Sequence, residues 1–118
     1  MKKVVFILIF LCVLTRISGN SNQEPIYSAK NNDLSGIKQA LREKVNINLT
    51  DLSGRNALYW AVFYKNKKMA LYLIRKKINL NPKSYYSPLA VACHYDDFKM
   101  IQLLVKNGAR INFKLKNG

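Results

Sequence analysis

Small and apolar residues recur in one order three times along the chain, with polar residues between them at helical spacing. Ser28-Ala29…Leu34…Ile37…Ala40-Leu41…Val45-Asn46-Ile47-Asn48 is matched by Ala61-Val62…Ala70…Leu73-Ile74…Ile78-Asn79-Leu80-Asn81. A third pass runs Ala92-Cys93…Ile101…Leu104-Val105…Ala109-Arg110-Ile111-Asn112. The closing residues Asn48, Asn81 and Asn112 lie 33 and then 31 positions apart. A period of that size predicts stacked supersecondary units, each unable to bury its apolar face without a neighbour.

Inside each unit the pattern predicts two short antiparallel helices. In the middle unit Asn56 caps a first helix running to about Tyr64, and Met69, Ala70, Leu73 and Ile74 place an apolar stripe along a second from about Lys67 to Arg75. In the third unit Ser87-Pro88 combines a capping hydroxyl with Pro at the first helical position, and Gly108 closes the last helix as a left-handed cap. Between the first two units, Asp51-Leu52-Ser53-Gly54-Arg55 has the Asp and Gly that a tight projecting turn requires. The next hairpin is two residues shorter and lacks both, so its tip, Lys83-Ser84-Tyr85-Tyr86, is not expected to repeat that turn.

At these residues the chain resembles the ankyrin repeat family, over about Pro25 to Gly118. The family's D-x-x-G-x-T-P-L-H opening has its counterpart in Asp51-Leu-Ser-Gly54-Arg-Asn-Ala-Leu58-Tyr59, and again in Ser87-Pro88-Leu89-Ala90. Its L-L-x-x-G-A-D-V-N close is clearest from Leu103 to Asn112, and Ala29-Lys30-Asn31-Asn32-Asp33-Leu34 is close to the A-K-N-G-D-L of many first units. The resemblance implies an all-α ankyrin-repeat solenoid of about three helix-turn-helix units joined by short hairpin-like loops. The units fall at about 25–50, 51–81 and 82–112, and residues 113–118 read as an unfinished hairpin. No polar capping unit follows the third, so Phe98 and Leu103 are placed at an edge that is either open to dimerisation or covered by Lys99, Gln102 and Lys106.

Residues 1–19 read differently. Met1-Lys2-Lys3 precedes an apolar run from Val4 to Leu14, and Ile17-Ser18-Gly19 ends in a small residue, the layout of a secretory signal cut after Gly19. Residues 20–24 form a polar linker. The apolar run would make a helix of roughly 16 Å, short of a hydrocarbon core of about 30 Å. Export is therefore expected, to the periplasm if the source is bacterial and otherwise outside the cell, with retention of the segment as an uncleaved anchor the alternative. Cys12 follows Leu11 instead of a small residue, which argues against lipoprotein processing. After cleavage only Cys93 is left, so no internal disulfide can form.

The full chain carries a net charge of +14; removing Lys2, Lys3 and Arg16 lowers this to +11. Such a field attracts acidic partners, although a coding sequence rich in A and T would also raise the Lys and Asn content. Catalysis finds little support. His94 adjoins Cys93, and neighbours on a helix point about 100° apart, so the two cannot form a facing dyad. Asp96 and Asp97 fit the polar turn between paired helices, with no ligand set spaced for a metal, no phosphate-binding Gly loop and no sign of a cofactor.

The family resemblance implies a concave binding surface made by hairpin tips and the exposed face of each first helix. Carried onto this chain, that surface holds Lys30, Asn31, Arg55, Phe63, Tyr64, Tyr86, His94 and Tyr95. Trp60, a helical turn before Tyr64, either extends the same strip or packs between helices, and the second is expected because large rings usually bury. Aromatics and Arg dominate interface hot spots, which points to an acidic protein partner; the family includes exported immunity proteins that neutralise toxins. A truncated repeat fragment without an independent role is the structural alternative, a binder of anionic membrane surfaces is another, and nucleic acid is a remote one, since an exported protein seldom meets it. Lys65, Lys67 and Lys68, with Arg75, Lys76 and Lys77, read as a solvated edge.

Overall fold

The computed structural model describes residues 24–84 and 86–110. The expected signal, linker residues 20–23, Tyr85, Ile111, Asn112 and the expected hairpin at 113–118 lie outside the described residues. Among the described residues six helices follow one another: α1 Pro25–Lys30, α2 Leu34–Arg42, α3 Ala57–Phe63, α4 Lys67–Arg75, α5 Pro88–His94 and α6 Phe98–Lys106. Among the described residues there is no strand, and no helix is long and apolar enough to cross a membrane. The helices form three pairs. The short inner helices α1, α3 and α5 pack side by side, and each holds its own longer outer helix, α2, α4 or α6.

Small residues let the inner row close up. Ser28, Ala61 and Ala92 occupy equivalent positions and are all buried, with Ala29 and Val62 beside the first two. The outer helices supply the larger apolar groups: Ile37, Ala40, Met69, Leu73, Met100 and Leu104 all lie in the core. Phe98 is 71% exposed and Val105 51%, whereas Leu103 is only partly so, with Lys99, Gln102 and Lys106 standing in solvent beside them.

Every cap that the sequence suggests is made. Asn56 and Ser87 accept from the backbone N–H groups of Tyr59 and Ala90, and Asp33, Asn66 and Asp97 do the same for the outer helices. Asn56 also donates through Nδ2 to the Asn79 carbonyl at 2.9 Å, so this buried amide joins one unit's helix to the same unit's closing turn. Asp97 thus starts α6, the role its place in the polar turn predicts.

The repeated Asn residues are rungs between units. Asn48 Oδ1 accepts from the Asn79 N–H at 2.7 Å, and Asn81 Oδ1 accepts from the Arg110 N–H at the same distance. Asn81 also donates to the Gly108 carbonyl at 3.1 Å. The hairpins touch in turn: Ser84, at the shorter tip, donates to the Ser53 carbonyl at 2.8 Å. Gly54 has φ +78°, and a Cβ there would meet the Ser84 Cβ at 2.9 Å, so both backbone and neighbour require glycine.

All six helices end alike, in a left-handed residue whose neighbours bond back to the last turn. In α2 the Val45 N–H reaches the Ala40 carbonyl and the Lys44 N–H reaches Leu41, the double bond of a Schellman motif. The left-handed residue is Asn32, Lys44, Lys65, Lys77, Asp96 or Gly108. Only the last is glycine. Left-handed backbone costs a residue with a Cβ about 1–2 kcal/mol, partly offset by glycine's greater freedom in the unfolded chain. Lys44→Gly and Lys77→Gly should each stabilise the fold by about 0.5–1 kcal/mol in urea unfolding. Unchanged midpoints would show that these turns carry no strain.

Candidate functional site

Helix α3 is Ala-Leu-Tyr-Trp-Ala-Val-Phe, and its buried side is already filled by Ala57, Leu58, Ala61 and Val62. Trp60 and Phe63 are therefore turned toward the margin of the stack, with Tyr64 following at the C-cap. In α5 the equivalent positions hold His94 and the C-cap Tyr95, and in α1 they hold Lys30 and the C-cap Asn31. The repeat thus lines up Lys30, Phe63 and His94 in one row and Asn31, Tyr64 and Tyr95 in a second.

These rings touch in an unbroken strip. Phe63 meets the Tyr95 ring edge-on at 6.0 Å across the junction between the second and third units, and Tyr95 meets His94 at 4.9 Å. Trp60 packs against Phe63 at 5.5 Å and Tyr64 at 6.4 Å. The Tyr64 hydroxyl donates to the Lys30 carbonyl, and Asn66 Nδ2 donates to Asn32 Oδ1 at 2.8 Å, so the strip is tied to the first unit also. Phe63, Tyr64, Tyr86 and Tyr95 are each 38–50% exposed.

Tyr59 joins the two ends of this surface, and sequence reasoning did not place it there. It is buried, stacks on Phe63 at 6.3 Å and receives the Tyr86 ring edge-on at the same distance. Its signal was its position: it stands where the family motif has its His. Trp60 is half-buried, as expected of a large ring, yet it belongs to the strip as well. Its indole N–H is shut from solvent with no hydrogen-bond partner among the described residues.

The cations differ in freedom. Arg55 stands 4.9 Å from the Trp60 ring centre, 5.5 Å from Tyr59 and 5.8 Å from Tyr86, and its Nε donates to Asp51 Oδ2 at 2.8 Å. The side chain is only 28% exposed, so its charge is committed inside the protein, where it braces the rings. Lys30 is freer: its Nζ lies 5.5 Å from the Trp60 ring centre and 3.9 Å from Asp51, with 42% of the side chain exposed. Asn31 donates to the Tyr27 carbonyl at 2.8 Å and lies in solvent. Ring, cation–π and hydrogen-bond contacts join Lys30, Arg55, Phe63, Tyr64, Tyr86, His94 and Tyr95, with Arg55 placed to support the rings, whereas Asn31 shares their row in the repeat but its hydrogen bond goes to Tyr27. Cys93 is half-buried beside the exposed His94, and no cluster of three or more metal-ligating side chains occurs among the described residues.

Asp51 organises the hairpin beneath. Its Oδ1 accepts from the N–H groups of Ser53 and Arg55 at 2.9 and 3.0 Å. Burial pushes this carboxyl up, but the backbone and guanidinium hydrogen bonds of Arg55, its charge and the Ser53 N–H together hold it below the ordinary carboxylate value. A lowered pKa contributes stability that is present above the unfolded value and lost as pH falls through the folded one. Asp51→Asn should cost about 1 kcal/mol at neutral pH, the worth of a partly buried charged hydrogen bond. That gap should close once acid has protonated Asp51 in the parent. A gap unchanged by acid would show that the charge contributes nothing.

A family model described as ankyrin repeats (3 copies) matches residues 26–114. The chain is also similar to serine/threonine-protein kinase 12 of Arabidopsis thaliana, 29% identical over 87 residues. That similarity covers 72% of this chain and 19% of the kinase, so the chain spans about a fifth of this relative's length. With three stacked helix pairs, their inter-unit Asn rungs and a family match over most of its length, the chain belongs to the ankyrin repeat family, a non-catalytic protein–protein interaction module.

Proposed function

We infer that this protein is an exported adaptor that binds an acidic patch on a partner protein through the ring strip of α3 and α5. The observation that carries this reading is the run of touching aromatics from Tyr86 through Tyr59 and Phe63 to Tyr95, braced by Arg55 and flanked by the exposed Lys30. Half-exposed rings held by neighbours lose little conformational entropy on binding, and they bury large apolar area. The net charge of +14 adds steering toward an acidic partner. Such a protein works by occupying a surface, and inhibition of a toxin by an immunity protein is one form of that action. It acts as a monomer or weak dimer, without catalysis and without a cofactor.

Pull-down from the exported fraction with the protein as bait identifies the partner, and the mass of the exported form should correspond to residues 20–118. Phe63→Ala and Tyr95→Ala should each weaken binding by about 2 kcal/mol, roughly 30-fold, with helicity intact. Lys30→Gln should chiefly slow association and reduce its salt dependence. Equal retention of many acidic proteins by parent and variants would contradict the reading.

A further inference from the structure

Besides Lys30 and Arg55 at the ring strip, a second set of cations lies on the outer helices. The outer helices α2, α4 and α6 contain no acidic residue at all, and each ends on a cation: Arg42, Arg75 and Lys106. These three are equivalent in the repeat and all are exposed, so they form a row across the stack at intervals of about 10 Å, the spacing of packed helices. Lys44 and Lys77, two residues beyond the first two, add a second row, and Lys76 and Arg110 lie beside them in solvent. Glu43 is the one acidic residue within this edge.

The helix dipole accounts for a cation in the last turn but not for those beyond it. Lys44 and Lys77 stand at φ 62° and 65°, in the left-handed cap where the third unit has Gly108. Among the described residues the ring at this edge is the half-buried Tyr72, 5.7 Å from Lys76 Nζ, with no run of rings to stack successive bases, and the charges are spread over three separate helix ends. Mobile lipid headgroups can gather under such a spread, whereas a nucleic acid needs a continuous track. Clusters of four to eight Lys and Arg are the size that anionic bilayers attract, and the half-exposed Val105 next to Lys106 gives the edge an apolar contact for the interface.

We propose that the edge formed by the C-terminal ends of the three outer helices docks on an anionic membrane surface. The strip on the inner helices remains free for a protein, so docking does not depend on that reading.

The test is sedimentation of the full chain with vesicles of phosphatidylcholine alone or with phosphatidylglycerol added, taking the ratio of the two partition coefficients so that any charge-independent insertion cancels. The parent ratio should be high and should fall with salt. Arg42→Gln/Arg75→Gln/Lys106→Gln should lower it about 100-fold, whereas Lys65→Gln/Lys67→Gln/Lys99→Gln, which removes the same charge elsewhere, should lower it much less. Lys44→Gly/Lys77→Gly should also lower it while the fold keeps or gains stability, separating docking from unfolding. Equal losses in the two triple variants would overturn the proposal in favour of bulk charge. So would a parent ratio near one, including the case in which the row instead governs binding to duplex DNA.

Discussion

None of the three helix pairs can bury its apolar side alone, and the whole structure depends on the inner helices closing against one another. Buried small residues at Ser28, Ala61 and Ala92 permit that approach, and larger side chains such as Leu73 and Leu104 fill the space behind them. Close stacking in turn brings the closing turns within hydrogen-bond reach, where the Asn48 and Asn81 amides bridge to the following unit. These rungs lie at the exposed margin of the stack, where they align each closing turn with the next.

The same register produces the ring strip. Residues that follow the small inner positions fall in rows across the units, and in the second and third units those rows are filled with rings. Phe63 and Tyr95 can meet across a unit boundary only because α3 and α5 are adjacent and aligned. Arg55 and Asp51 then couple the face to the hairpin. The guanidinium lies against three rings while the carboxylate that holds it organises the turn. Ring strip and fold are therefore stabilised by shared contacts.

The architecture was legible because its signals are local and repeated. The apolar stripe from Lys67 to Arg75, the caps at Asn56 and Ser87, the Gly108 ending and the Asp51–Arg55 turn each have a short-range cause that the sequence displays. What escaped depends on contacts between units. The closing Asn residues announced a period without revealing that they bond to the next unit. Tyr59 stands between Leu58 and Trp60 in the chain, and its position as the buried link between Phe63 and Tyr86 needs the third unit in place. The left-handed lysines carry no glycine signal, since the capping hydrogen bonds alone hold them there. The second hairpin, without Asp or Gly, leans through Ser84 on the Ser53 carbonyl of the first, a tertiary substitute for a local turn.

The most direct measurement on the central claim is hydroxyl-radical footprinting of the captured complex against the free protein, because it reads the exposure of aromatic side chains individually. Phe63, Tyr64, Tyr86 and Tyr95 should become protected together, while the exposed Phe98 on α6 should react as before. Protection of Phe98 and of Tyr72 on the outer helices, with the four strip residues unchanged, would contradict a partner-binding role for the inner helices.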